Sequence, residues 1–302
     1  MILLERFYRI PSWSNLIFSL SGQKRKVEDA TRPMRNLITK IFEEKLELRA
    51  KLQGEADADT DSGGSRNFMD IILDNVESGA FTRQQAIEEC IEVYLASSIT
   101  TASITSWVFN ILAMRPDMQQ KVYEEIVEVC GQEITVNDVS KLVYLEMVVK
   151  EALRHFSVPV VSRRIEEDIT LEDDTTLPAG LNIVMMIYAL HHDPEYWQKP
   201  GEFYPEHFSP VNELNRPKGV FIPFSNGPRG CPGRTYAMTS MRYLIAKTLL
   251  QYEFLTEEKP PADFRTENYL FLFTLIPTSG FHVKVQERRS AIGTMSLSQD
   301  AA

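Results

Sequence analysis

Cysteine is scarce in this chain of 302 residues: Cys90, Cys130 and Cys231 are all it carries. An odd, sparse set makes no disulfide framework and points to a reducing compartment. Positive charge is also short. With 32 basic and 42 acidic residues the net charge is −10, and no basic stripe breaks the surplus, which argues against nucleic acid as a partner. Internal repeats are absent. An uninterrupted apolar core near the start is missing too, because Glu5, Arg6 and Arg9 fall inside residues 1–22, so no signal peptide is read there.

What is present suits a globular protein. The hydrophobic fraction is 43% and the charged fraction 25%, enough to bury a sizeable core. One run without charge, Val93 to Met114, is long enough to span a bilayer. It also holds seven Ser/Thr residues and Asn110, which favours a core helix buried inside a large domain.

The periodicity predicts a mainly α chain with a small β portion. Met34, Leu37, Ile38, Ile41 and Phe42 recur at helical spacing, so residues 24–52 form one helix. The acidic, Gly/Ser-rich stretch 53–66 is a solvated loop, and a short helix follows at 68–77. Thr82 caps the long central helix, and Arg115-Pro116-Asp117 breaks it. Amphipathic helices run from about Pro116 to Val129 and from Val143 to His155. Residues 158–187 read as short strands, and 193–230 have little periodicity. A helix starts with Pro232 at its first position and runs to about Tyr252. Tyr269 to Val285 forms a hairpin turning at Pro277–Gly280, and the tail 287–302 is disordered.

The sharpest chemical signal is Pro223-Phe224-Ser225-Asn226-Gly227-Pro228-Arg229-Gly230-Cys231-Pro232-Gly233-Arg234. Cys90 and Cys130 sit within helical patterns and read as small buried hydrophobes. Cys231 sits among glycines and prolines just before a helix, where the helix N-terminus and Arg229 favour a thiolate. A thiolate held in a rigid loop suits an iron ligand. The bland alternative is a tight turn that contains a cysteine.

The run resembles the heme-binding signature of the cytochrome P-450 superfamily, Phe-x-x-Gly-x-Arg-x-Cys-x-Gly, at Phe224, Gly227, Arg229, Cys231 and Gly233. The resemblance implies a heme-thiolate monooxygenase of the cytochrome P-450 fold, C-terminal part: the central long helix, a Glu-x-x-Arg helix, the Cys-ligand loop and the helix after it. It implies heme b with Cys231 as axial thiolate, Phe224 beside the sulfur, and Arg229 on a propionate. Glu151-Ala152-Leu153-Arg154 resembles the Glu-x-x-Arg pair. Phe203 to Phe208 resembles Phe-x-Pro-x-Arg-Phe, with His207 where the arginine falls; histidine lacks the planar fork, so a weaker or proton-dependent clasp is expected. Pro159 to Arg163 resembles Pro-x-x-x-Arg and makes Arg163 a second propionate partner, with Arg164 as competitor.

Ala96 to Thr101 aligns with the family's Ala/Gly-Gly-x-Asp/Glu-Thr-Thr. Thr100 fits the proton-delivering threonine, Ser97 replaces the glycine and Ile99 replaces the acid. Ala96 stands where some members attach heme through a glutamate. Glu5-Arg6-Phe7, Tyr188 to Trp197 and Phe221 to Ser225 resemble the animal fatty-acid omega-hydroxylases and their insect relatives. On that likeness residues 1–286 are a partial P-450 domain, lacking an N-terminal anchor and early helices. Implied partners are an apolar substrate such as a lipid or xenobiotic, O2, and an NADPH-cytochrome reductase. The implied place is the cytoplasmic face of the endoplasmic reticulum membrane. Two other readings stand beside this: a heme-thiolate isomerase or dehydratase acting on a peroxide, and a non-catalytic fragment.

Overall fold

The computed structural model describes residues 14–55, 66–131 and 133–288. The charged N-terminal stretch, most of the acidic loop and the tail beyond 288 lie outside the described residues. The chain divides into two compact units, residues 1–98 and 99–302.

In the first unit α1 (Asn15–Leu20) precedes α2 (Gln23–Glu55), α3 (Phe68–Glu77) and the first part of α4 (Arg83–Met114). Asn67 and Asp70 cap α3 reciprocally: each side chain accepts from the other's backbone N–H, at 3.1 and 2.9 Å. Thr82 and Gln85 do the same for α4, at 3.3 and 2.9 Å. The buried faces meet in one cluster of Ile38, Phe42, Ile72, Leu73, Ala86, Ile87, Cys90 and Ile91. Spacings of three and four along each helix produce it.

The second unit holds the rest of α4, then α5 (Pro116–Cys130), α6 (Val143–Phe156), α7 (Ile187–His191), α8 (Pro210–Asn215) and α9 (Arg234–Gln251). Its core joins Trp107, Ile111, Val122, Leu145, Val148, Phe156, Met241 and Ile245. Trp107 stacks on Phe156 with centroids 3.7 Å apart, and its indole N–H donates to the Leu275 carbonyl at 2.7 Å. The orphan N–H groups at the start of α6 are satisfied by another helix: Glu125 of α5 accepts from Tyr144 N at 2.6 Å and Leu145 N at 2.9 Å. Buried Gln119 pairs with both backbone groups of Phe254, at 2.8 Å each.

Among the described residues the β portion is four antiparallel pairs: β1 (Val161–Arg164) with β4 (Asn182–Met185), β2 (Ile169–Thr170) with β3 (Thr176–Leu177), β5 (Tyr252–Leu255) with β8 (Lys284–Glu287), and β6 (Tyr269–Leu272) with β7 (Thr274–Pro277).

Several expectations need correction. The C-terminal hairpin turns at Phe273, which takes φ +66°, and not at Pro277–Gly280. The latter is a second turn that leads β7 into β8. β8 runs to Glu287, and Arg288 N donates to Gln251 O at 2.8 Å, so the ordered chain passes 286. Pro232 is not the first helical residue: Gly233, at φ −84° and ψ 5°, is the cap, and α9 begins at Arg234. α4 is buried only along part of its length. The Ser103 to Ala113 stretch is mostly in the core, whereas Val93, Tyr94 and Ile99 are exposed. By length and composition alone α4 could cross a membrane.

Candidate heme-thiolate site

The loop from Ile222 to Gly233 closes on itself through its backbone. Ser225 N donates to Ile222 O at 2.9 Å, Gly230 N to Gly227 O at 2.9 Å, and Cys231 N to Phe224 O at 2.8 Å. Gly227 takes φ +75°, which an L side chain resists. A Cβ at Gly230 would stand 3.1 Å from Gly227 O, a tight approach that a side chain there would have to relieve by a small shift. Cys231 is thereby presented outward at the end of a locked turn, and it is exposed. The other two thiols differ: Cys90 is buried and Cys130 half-buried, and burial raises the pKa of both.

Arg163 of β1 reaches this loop. Its Nη2 donates to Ser225 Oγ at 2.8 Å and to Arg229 O at 3.4 Å. Arg164, the competitor, alternates to the more exposed side of the strand. Arg229 is exposed within the turn Gly227–Arg229. Beside Phe224 lies a cavity of about 280 Å³ lined in part by Glu146, Lys150, Arg234 and Arg242. A larger hollow of about 560 Å³, at Leu255, Phe281 and Lys284, includes none of the candidate residues.

Behind the loop sits a buried charged network. Arg154 grips Glu151 with two parallel bonds, Nε to Oε2 at 2.9 Å and Nη2 to Oε1 at 2.7 Å. The same guanidinium donates to three carbonyls: His191 at 2.9 Å, Pro200 at 2.9 Å and Glu202 at 3.0 Å. Glu151 also accepts from Tyr204 N at 2.9 Å, and His207 Nδ1 lies 3.3 Å from both its oxygens. Burial works to raise the Glu151 pKa, but Arg154, His155 and His207 hold it well below the usual carboxylate range.

Sequence reasoning missed the histidines around this pair. Besides His207, three more of the chain's five histidines converge here. His192 Nδ1 meets the Tyr188 carbonyl at 2.8 Å, so that nitrogen carries the proton and Nε2 accepts from His155 Nδ1 at 3.0 Å. His191 Nδ1 faces the Arg154 carbonyl at 3.2 Å, and its Nε2 accepts from Ile222 N at 3.1 Å. That last bond ties the network to the first residue of the cysteine loop. Burial pushes His191 and His192 down to about 3, and it lowers His155 as well. The clustering of histidines between 155 and 207 was the available signal.

On the central helix, Ser97 Oγ donates to Tyr94 O at 3.2 Å, the back-bond expected of a helix hydroxyl. In the second unit, Thr100 precedes Ser103 by one turn, and Ser103 Oγ accepts from Thr274 Oγ1 at 2.8 Å. Ile99 is 39% exposed.

A single outward thiol on a closed turn, a helix immediately after it, and an arginine from a neighbouring strand docked on the same turn form a donor set suited to one iron and the carboxylates around it. The cytochrome P-450 family profile matches residues 3–284, and the chain belongs to that family. It is 30% identical to human cytochrome P-450 4X1 over 95% of this chain and 56% of that protein. It is 30% identical to a human ultra-long-chain fatty acid omega-hydroxylase over 89% of this chain and 53% of that protein. A rat relative, cytochrome P-450 4A12, is 33% identical over 83% of this chain and 50% of its own length. The chain thus spans about half the length of the curated relatives it matches.

Proposed function

We propose that this chain carries the heme-binding half of a lipid monooxygenase. The substrate is an apolar molecule of the fatty-acid type, the class for which one relative, an ultra-long-chain fatty acid omega-hydroxylase, is named. The observation that carries the reading is the closed loop that presents Cys231 outward, with Arg163 docked upon it. Cys231 would hold the iron of heme b as a thiolate, and Arg163 and Arg229 would pair with its propionates. Phe224 packs beside the sulfur, Gly227 takes the positive φ of the turn, and Gly233 leaves room next to the sulfur, where a Cβ would stand 3.8 Å from Sγ. Bound heme would supply oxygen activation and the one-electron steps that go with it.

The remaining roles belong to the chain. Glu151, Arg154 and His207 are structural: they fix the segment entering the loop through His191 and Ile222. Thr100 is the distal hydroxyl that orients a proton donor. Ile99 has no ionisable group, so proton delivery rests on hydroxyls and water. Reducing equivalents come from NADPH through a reductase, and the overall conversion is R–H + O2 + NADPH + H⁺ to R–OH + H2O + NADP⁺. The whole enzyme works at the cytoplasmic face of the endoplasmic reticulum membrane.

The test supplies heme, an NADPH-dependent reductase and a long-chain fatty acid. Hydroxylated acid carrying isotope from ¹⁸O₂ is the expected product. Ile99 favours one second reading, an isomerase or dehydratase that starts from a peroxide and needs no acid. Turnover of a fatty-acid hydroperoxide without reductase, and none with O2, establishes that reading instead.

A further inference from the structure

Two buried nitrogens near Glu151 have no hydrogen-bond partner among the described residues: His207 Nε2 and Arg216 Nε. Leaving a buried polar group unpaired forfeits its hydration, so another interaction must offset it. Arg216 shows what that is. Its guanidinium lies 4.1 Å from the Trp197 ring centroid and 5.0 Å from that of Phe208. Its Nη2 donates to the His207 carbonyl. Arg154 approaches the same Trp197 ring, at 5.0 Å, and His207 meets it edge-on at 5.4 Å. Two guanidiniums and one imidazole therefore share a single buried indole beside the Glu151 carboxylate. Burial lowers the Arg216 pKa, whereas Glu213 and Glu151 pull it upward.

Glu151 is fully buried, with Arg154 as its only permanently cationic partner in direct contact among the described residues. His207 offers one nitrogen shared between two oxygens, a weak grip compared with a planar fork. We infer that Arg216 is a positioning residue for this carboxylate: held by the His207 backbone and the Trp197 ring, it supplies the second permanent cation that a histidine at 207 does not. The cation–π contacts hold it in place. Glu151 in turn fixes Tyr204 N and Arg154, whose hold on the His191 carbonyl orders the segment leading to Ile222. An arginine at 207 would bring its own fork to Glu151, and Arg216 would become redundant. The inference concerns folding and holds whether or not the heme reading does.

The experiment is a double-mutant cycle on the full chain, with urea unfolding followed by intrinsic tryptophan fluorescence. Arg216→Gln is expected to lower the folding constant on the order of 30-fold, and by less than about threefold in a His207→Arg background. Arg216→Lys, which keeps the charge, is expected to lose less than Arg216→Gln. Equal losses in both backgrounds, or a lysine as damaging as the glutamine, would overturn the inference. If Arg216→Gln does not fold, the double variant decides. Recovery of the fold by His207→Arg supports the compensation, and continued failure to fold refutes it.

Discussion

Lowering the pH from 7.5 to 5.5 should destabilise this chain by about 3 kcal/mol through two histidines alone. His191 and His192 titrate at about 3 in the folded chain because burial disfavours their charged forms. In the unfolded chain an imidazole titrates near 6.5. Between those values the unfolded chain binds protons that the folded chain refuses, so stability falls as the pH falls through that window. Each histidine contributes about 1.4 kcal/mol over this step, and His155, shifted the same way, adds to it. Carboxylates do not mask the effect. The contribution of Glu151 is complete above its unfolded value and is lost only as the pH falls below about 4.5. The depressed Asp117, Asp138 and Asp263 follow the same rule. Against a typical total of about 5–15 kcal/mol the loss is large. Urea titrations at pH 7.5, 6.5 and 5.5 would measure it, with most of the fall expected in the lower unit. A flat profile, or greater stability at pH 5.5, would refute the neutral, buried assignment of these rings.

Glu151→Ala should cost roughly 3–5 kcal/mol, because it leaves the Arg154 guanidinium buried without its counter-charge; a variant with wild-type unfolding and full heme but no turnover would instead make Glu151 catalytic. Phe273→Gly should stabilise the chain by about 1 kcal/mol, since Phe273 is 59% exposed and held at φ +66°; lower stability in urea would show that its ring packs. In the complete enzyme, Ile99→Asp should raise the ratio of product to NADPH consumed, because a carboxylate relays protons that isoleucine cannot. An unchanged ratio would remove this position from proton delivery.

Much of the fold was legible because the relevant signals are local. Met34 to Phe42 marked α2, Thr82 marked the start of α4, and Pro116 its end. The cysteine loop was legible for the same reason: its glycines, Arg229 and Cys231 are contiguous. The misplaced hairpin shows the limit. Pro277 to Gly280 carry turn residues, but the β6–β7 pairing takes its positive φ at Phe273, a residue with no such preference. The helix start after Cys231 slipped because Gly233 also caps well, and Pro232 fits just outside it. The network behind the loop was legible only as Glu151, Arg154 and His207. Its other members, His155, His191, His192, Trp197 and Arg216, come from three segments that meet only in the folded chain. No single-segment pattern reveals that His191 accepts from Ile222 N.

The central claim is that Cys231 supplies the thiolate to heme. Its most direct measurement is the carbon monoxide difference spectrum of the reduced, heme-loaded protein, compared with Cys231→Ala. The long-wavelength Soret band of thiolate ligation is expected in the wild type and absent from the variant, with Cys90 and Cys130 untouched. Persistence of that band in Cys231→Ala, or its absence from heme-loaded wild type, would contradict the assignment.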